Sequence, residues 1–273
     1  MKTLRLTVTV VMFASLVAIS SCNFGDGETH CRVKSFYWED EWYNATYNNA
    51  GRLTKLQSDD SKILFYYDEG NNLYKSDIYH PGDVTPRTVY TFEHGPSGIT
   101  RVSYYFDGVL TNGEIISYVT PNEVESVIFQ EYNPDETVGY EHSLEFQYQG
   151  GNVTALNPGS FLRYTADSFD SKPNPFKMLA AAVGNPAFWP VGRYVFFPVA
   201  DYDIPYVSRF SANNPLTGKY EFTDEQPQDQ TYTNTYAGGN VTKIVWEDLS
   251  YDQDNVEDYA FKYDCKCGPR VFR

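Results

Sequence analysis

Cys31 stands near one end of the chain, and Cys265 and Cys267 stand near the other. A disulfide from Cys31 to Cys265 or Cys267 would staple the two ends together. Closing so long a loop stabilises by up to about 4–5 kcal/mol on the chain-entropy account. Alternate residues of a strand point to opposite faces, so only one of Cys265 and Cys267 reaches Cys31. The other is left free or pairs between chains. His30 beside Cys31 raises the alternative of a zinc site. Cys-x-Cys is tighter than the usual ligand spacing, and adjacent His and Cys ligands are awkward for tetrahedral geometry. We therefore expect no metal there and no cofactor. Asp252-Gln-Asp254-Asn-Val-Glu257-Asp258 is dense in oxygen ligands. It lacks the glycine and the distal glutamate of an EF-hand loop and reads as a solvated acidic loop.

Hydrolytic signatures are missing: there is neither a Gly-x-Ser-x-Gly elbow nor a His-Glu-x-x-His run. His80, His94 and His142 fall in loop or hairpin contexts with no evident nucleophile beside them. A pair of carboxylates could make a glycosidase. With 36 acids in the chain, some pair meets by chance alone. Trp38-Glu-Asp-Glu-Trp42 is the most pointed acid–aromatic cluster, and it reads as the first strand with Trp38 and Trp42 inward on one face. Asn44, Asn152 and Asn240 each open an Asn-x-Thr, and for Asn152 and Asn240 turn chemistry explains the residue. A ligand-facing set is also conceivable. Phe188, Trp189 and Tyr202 would stack on a sugar ring, and Asp201, Asp203, Asn213 and Asn214 would orient it. The competing reading is that this apolar stretch is a plug or lid on the sheet. Full enclosure of Trp189 would rule the stacking set out.

The elements that must hold these side chains are written as a repeat. In Tyr232-Thr-Asn-Thr-Tyr236-Ala-Gly-Gly-Asn240-Val-Thr-Lys-Ile244-Val-Trp246, an aromatic-alternating run enters a Gly-Gly-Asn turn and a β-branched run leaves it. That is the pattern of a β-hairpin. The same grammar recurs at Phe146–Leu156, Tyr43–Leu56, Phe65–Lys75 and Tyr90–Val102, and in degenerate form at Tyr105–Ile115. Val241 and Ile244 are three apart, as are Val153 and Leu156, and Leu53 and Leu56. Strict alternation would put the members of each pair on opposite faces. Either a bulge follows the turn or both faces are partly buried. Repeated units of this kind stack on neighbours to bury a face. The 24 tyrosines fit cross-strand pairing on such a sheet better than a binding surface. Residues 157–219 break the grammar. Within them Asn174 caps a helix that begins at Pro175 and stops at Gly184. The expected fold is all-β: an antiparallel meander of hairpin repeats, strongly curled or barrel-like, with a central insert carrying one short helix.

Lys2 and Arg5 precede an apolar run, Leu6 to Ile19, that ends Ile19-Ser20-Ser21-Cys22. This is a secretory leader closing on a lipobox, with Cys22 as the lipid attachment site. The apolar run is too short for a comfortable membrane span. The chain therefore divides into a signal peptide (1–21), a lipidated tether (22–30) and a single β-repeat domain (31–273) that contains the insert. Asn23 after the cysteine favours the outer membrane, facing the periplasm or the surface. Removing residues 1–21 takes away Lys2 and Arg5 only, so the remainder carries 21 − 2 = 19 basic and 36 acidic residues, a net charge of −17. That excludes nucleic acid and anionic lipid headgroups as natural partners.

Here the chain resembles a known family. The unit Tyr47-x-x-x-Gly51-x-Leu53-Thr-Lys-Leu56 is similar to the tyrosine–aspartate (YD/Rhs-like) repeat. With the lipoprotein leader and Lys172-Pro-Asn-Pro-Phe176, the chain from Tyr43 to Asp264 resembles an uncharacterised family of Bacteroidota lipoproteins. The resemblance implies a porin-like fold and brings no activity and no site residues. A membrane-spanning barrel is not expected, because Glu39-Asp40-Glu41 and Ser76-Asp77 interrupt any outward apolar band. The expected role is a cell-envelope lipoprotein, not an enzyme, that binds a glycan or peptide at the outer membrane. The alternatives are a structural or assembly protein with an envelope protein partner, and a glycan-active hydrolase using paired carboxylates.

Overall fold

The computed structural model describes the backbone of residues 29–38, 41–156, 162–190, 210–222, 228–248 and 256–267. Cys22 and Asp201–Asp203 lie outside the described residues. In chain order the strands are β1 (Thr29–Trp38), β2 (Glu41–Tyr47), β3 (Leu53–Gln57), β4 (Lys62–Tyr67), β5 (Leu73–Tyr79), β6 (Thr88–Gly95), β7 (Gly98–Phe106) and β8 (Val109–Thr120). They continue with β9 (Glu123–Tyr132), β10 (Val138–Gln149), β11 (Asn152–Leu156) and β12 (Leu162–Pro173). After the helix α1 (Pro175–Ala182) come β13 (Asn213–Phe222), β14 (Gln228–Ala237), β15 (Asn240–Asp248) and β16 (Val256–Cys267). Each strand pairs antiparallel with its sequence neighbours, and β16 returns to β1, so sixteen strands close into one barrel. Closure leaves no edge to template aggregation. Strand β12 and most of β13 fall inside the interval 157–219 expected to lie outside the hairpin pattern. Their pairing contains three register shifts, which is why no hairpin pattern showed there.

The three-residue spacing is explained by a bulge. Registers slip by one at Thr46/Tyr47, Gln147/Tyr148 and Thr235/Tyr236, leaving Thr54, Thr154 and Thr242 as the extra residues. The slip changes the phase of the strand, so Leu53 and Leu56 both face the lumen, as do Val153 and Leu156, and Val241 and Ile244. The extra threonine bonds across the pair. Thr54 Oγ1 donates to the Thr46 carbonyl at 3.1 Å, Thr154 Oγ1 to Gln147 at 3.3 Å and Thr242 Oγ1 to Thr235 at 3.2 Å. The turns before these bulges each hold a glycine at positive φ: Gly51 (79°), Gly151 (81°) and Gly239 (85°).

These turns lie at one end of the barrel, where the joints between successive hairpins are tied by side chains. The hydroxyl of Tyr47 donates to the Val33 carbonyl at 2.5 Å, Tyr67 to Leu53 at 2.5 Å, Tyr118 to Ile99 at 2.6 Å and Tyr263 to Val241 at 2.6 Å. Tyr148 Oη accepts from the Val124 amide at 3.3 Å, and His94 Nε2 lies 2.7 Å from the Leu73 carbonyl. Turn and side-chain tie thus alternate around much of this rim. At the β16/β1 joint, where the ring has no turn, Cys31 and Cys265 pair directly and form a disulfide. Cys267 pairs through its backbone with Thr29.

The same end is filled by the segment between β12 and β13. Asn174 caps α1 by accepting from the Phe176 amide at 2.9 Å, and Gly184 follows the helix at φ 82°. Phe176 meets Tyr259 and Phe261 of β16 edge-on, Trp189 packs on Phe65 of β4, and Phe210 bridges Phe188 and Phe146 of β10. The plug therefore touches walls all around the lumen. Lys177 Nζ donates to the carbonyls of Asn122, Pro186 and Ala187, and burial pushes its pKa down to about 8. Arg52 Nη1 donates to the Ala181 carbonyl at 3.2 Å. Many polar side chains stand on the outer face, where Asn44, Thr46, Glu93, Glu145, Gln147, Thr233, Thr235 and Lys262 are exposed. Trp42 also faces outward, 38 % exposed beneath Lys262 Nζ, which corrects the expectation that it points inward. The Trp38–Trp42 run spans two paired strands, so Trp42 sits beside Tyr37 on the outer face.

Burial raises the pKa of Tyr47 to about 12 and lifts Tyr67, Tyr118, Tyr148 and Tyr263 further. Unfolded tyrosines ionise near pH ~10. The ties therefore contribute full stability below that pH and lose it as pH climbs towards the folded values. Urea midpoints should hold to about pH 10 and then fall steeply, tracking phenolate absorbance. Tyr67→Phe should cost about 1–3 kcal/mol by leaving the Leu53 carbonyl without its donor. A neutral effect of that substitution would show the ties to be incidental.

Candidate functional site

Opposite the plug, the wall over β7–β10 is taller than the wall over β2–β5. Strands β7–β10 run 9, 12, 10 and 12 residues, whereas β2–β5 run 7, 5, 6 and 7. Register places three lumenal rows on this lip. Deepest is Phe92–Val102–Glu114–Phe129–His142. Next comes Tyr90–Tyr104–Asn112–Glu131–Tyr140. Outermost is Thr88–Phe106–Val109. Along β7 to β10 exposure grows in that order, whereas Phe92, Tyr90 and Thr88 of β6 are all buried. Glu114 is buried, Asn112 and Glu131 are half-buried, and Tyr140, Phe106 and Val109 are 50 %, 41 % and 51 % exposed.

Long side chains brace the lip from outside. Tyr132 lies over Gly113, where a Cβ would come within 3.1 Å of its ring. Arg101 Nη2 donates to Tyr132 Oη at 2.6 Å, which donates to Gln130 Oε1 at 2.6 Å; Gln130 Nε2 then donates to Glu141 Oε2 at 2.8 Å. This chain ties β7, β9 and β10 over the glycine of β8. At the rim Arg87 holds Asp107 with two bonds of 3.1 Å, raising the guanidinium pKa and lowering the carboxyl's.

His142 is the chemically distinctive member. Its ring stacks on Phe129 at 4.8 Å and meets Tyr140 at 5.5 Å. Neither ring nitrogen has a hydrogen-bond partner among the described residues, and burial lowers its pKa. Aromatic faces, a carboxylate, an amide and a neutral imidazole thus share one concave wall. Such a surface can bind and orient a ligand. Among the described residues no group of three or more His, Cys, Asp or Glu could hold a metal ion.

The ligand set expected from the sequence lies elsewhere. Phe188 and Trp189 are each 1 % exposed inside the plug, so neither can stack on a ligand. Asn213 and Asn214 are committed to structure. Asn213 exchanges bonds with Asn152 at 2.7 and 3.2 Å and donates to the Lys172 carbonyl at 3.0 Å. Asn214 Nδ2 donates to both Asp170 carboxylate oxygens at 3.2 and 3.0 Å. The apolar insert needed cover, and the lumen provided it. Tyr202, Asp201 and Asp203 cannot be placed. Residues of the lip escaped sequence reasoning because they come from five strands whose register depends on bulges. The one available signal was the length of the β7–β10 runs.

No protein-family model and no curated protein matches the chain. Among solved structures, a porin-like protein from Bacteroides uniformis aligns over 87 % of this chain and 96 % of its own, at TM-score 0.50 and 14 % identity. A porin-like protein from Bacteroides vulgatus covers 86 % and 99 %, at TM-score 0.44 and 10 % identity. A structure of TcdB2-TccC3 matches 79 % of this chain with 10 % of its own length, at TM-score 0.33 and 15 % identity. The first of these likenesses is one of fold.

Because the folded pKa of His142 is depressed, the neutral ring contributes stability that is present above the ordinary histidine pKa of about 6.5. That contribution is lost as pH falls towards the folded value. Proton NMR of the imidazole should give a midpoint below 6.5, and His142→Gln should flatten the acid limb of the urea midpoint. An ordinary midpoint would show the ring to be solvated.

Proposed function

We propose that the chain is a cell-envelope lipoprotein, anchored through Cys22 at the outer membrane, whose barrel stands in water. It works as a non-enzymatic binding module for a glycan or peptide, with the lip of β6–β10 as its site. The observation that carries this reading is the polarity of the wall. A membrane-spanning barrel shows an apolar band to lipid and a polar interior. Here Leu53, Leu56, Phe92, Leu144, Phe146, Tyr232 and Phe261 face the lumen, and asparagine, threonine, glutamate and lysine face out, interrupting the outward Leu64, Ile115, Ile128 and Trp42. Among the described residues, the plug buries Phe176, Phe188 and Trp189 inside the lumen at that end. The Cys31–Cys265 disulfide supports an oxidising compartment. The leader ending at Cys22 supports the anchor, since several acyl chains hold a protein to a bilayer far more firmly than one.

Two measurements test this. The chain produced in a Gram-negative host should enter the detergent phase on fractionation, and Cys22→Ser should move it to the aqueous phase with its fold intact. Planar-bilayer recordings should show no stepwise conductance. Discrete channels, or membrane retention of Cys22→Ser through the barrel wall, would refute a water-facing module.

A further inference from the structure

We propose that the tether holds the plugged end of the barrel towards the bilayer and the lip of β7–β10 farthest from it, an inference that rests on the anchor at Cys22. Strand β1 begins at Thr29, and Thr29 pairs with Cys267, the last residue of β16. This start of the seam lies at the plugged end. Asn240, which follows the Gly238-Gly239 turn, donates from Nδ2 to Cys31 Sγ at 3.4 Å. The chain therefore enters the barrel beside the plug, with Cys22 29 − 22 = 7 residues upstream of Thr29. Fully extended, seven residues reach about 25 Å. Strand β16, beside the entry point, has 12 residues. That is about 40 Å along the strand and, at the tilt of a closed barrel, about 30 Å along the axis. In an inverted barrel the tether would run down that wall before meeting lipid, farther than it reaches. The Cys31–Cys265 disulfide fixes β1 to β16 at this point, so the seam cannot peel to lengthen the tether.

The ring also sets the lip on the far side. Counted either way round, β9 stands eight strands from β1. Tilting the barrel onto its seam wall therefore lifts the lip away from lipid. Charge is sorted along the axis in the same sense. Among the described residues, the connections at the plugged end (48–52, 68–72, 96–97, 121–122, 150–151 and 238–239) carry Asp68 and Glu69 against Arg52, a net 1 − 2 = −1. Those at the other end (58–61, 80–87, 107–108 and 133–137) carry Asp59, Asp60, Asp83, Asp107, Asp135 and Glu136 against Arg87, a net 1 − 6 = −5. At near-physiological salt the screening length is about 8 Å. Anionic headgroups thus meet the nearly neutral end, while the acidic end stands several screening lengths away. The lumenal rows of the lip open on the aqueous compartment, where a ligand has no need to pass between barrel and bilayer.

The test adds the full lipidated chain from detergent to preformed vesicles of phosphatidylethanolamine and phosphatidylglycerol that carry an acceptor dye on a headgroup. A coumarin amino acid takes the place of Asn49, in the plugged-end turn between β2 and β3, or of Val109, on the lip; both positions are exposed. Energy transfer should be about twofold or more stronger from position 49, because the two sites differ by roughly one barrel height in distance from the bilayer. Circular dichroism and the urea midpoint of each labelled chain confirm that the barrel still folds. Cys22→Ser should abolish transfer from both positions. Equal transfer from the two, or stronger transfer from position 109, on a chain bound through Cys22 would overturn the orientation and leave the anchor standing. Vesicle binding by Cys22→Ser with the same ranking would overturn the tether as its cause, since a surface of the barrel would then hold it. Failure of the lipidated chain to bind vesicles at all would remove the anchor and this inference together.

Discussion

A strand that begins Leu53-Thr54-Lys55-Leu56 cannot place both leucines in one core unless the register slips between them. Side chains alternate strictly along a pleated strand, so the slip is a geometric necessity once both leucines are buried. It recurs where Leu73 and Ser76, Ile99 and Val102, and Val124 and Val127 face the lumen together. Each bulge also sharpens the local twist, and accumulated twist is what lets a wide meander close on itself. The threonine left over in the bulge finds a carbonyl across the pair. At the Thr54 bulge, Tyr47 beside it reaches Val33 of the neighbouring strand, so one local irregularity supplies both curvature and a tie to the next hairpin.

Closure at this width creates a second demand. A small barrel is filled by its own wall, whereas a sixteen-stranded one encloses more space than inward side chains occupy. Porin-type membrane barrels leave that space to water. This chain fills one end with a helix and three large aromatics, Phe176, Phe188 and Trp189. Buried donors in the plug find carbonyls in the process: Asn185 Nδ2 donates to the Phe188 carbonyl, and Lys177 Nζ donates to three carbonyls. An ammonium in that setting persists because its donors are satisfied, and its lowered pKa measures the desolvation that remains.

At the other end, aromatic and polar side chains gather on the wall of β6–β10. The lumenal rows of β6–β10 mix aromatic and polar side chains, from Glu114 and His142 in the deepest to Thr88 and Phe106 at the rim. The outer brace of Arg101, Tyr132, Gln130 and Glu141 holds that wall without drawing on the lumenal face. A surface set on paired strands is better positioned than one on loops. Bracing is thus kept outside, and the lumenal side chains of the lip are left out of it.

Much of the architecture was legible in the sequence because it is set by local chemistry. Glycine turns, β-branched runs and the Asn174-Pro175 cap act within about ten residues, and the hairpins and helix follow from them. The cysteines could be read as a staple between the chain ends, although only the β1–β16 register decided that Cys265 stands opposite Cys31. Burial and adjacency were not legible. Phe188 and Trp189 read equally well as an exposed platform or as a plug, and the lumen behind β4 and β10 decides between them. His142, Glu131 and Asn112 carry no shared motif. They meet because bulges tens of residues apart fix the phase of each strand, and a one-residue slip anywhere would turn a row from lumen to solvent. Sequence by itself determined what each segment would be; closure of the sheet decided which faces look inward, since that sum of registers exists only once β16 has returned to β1.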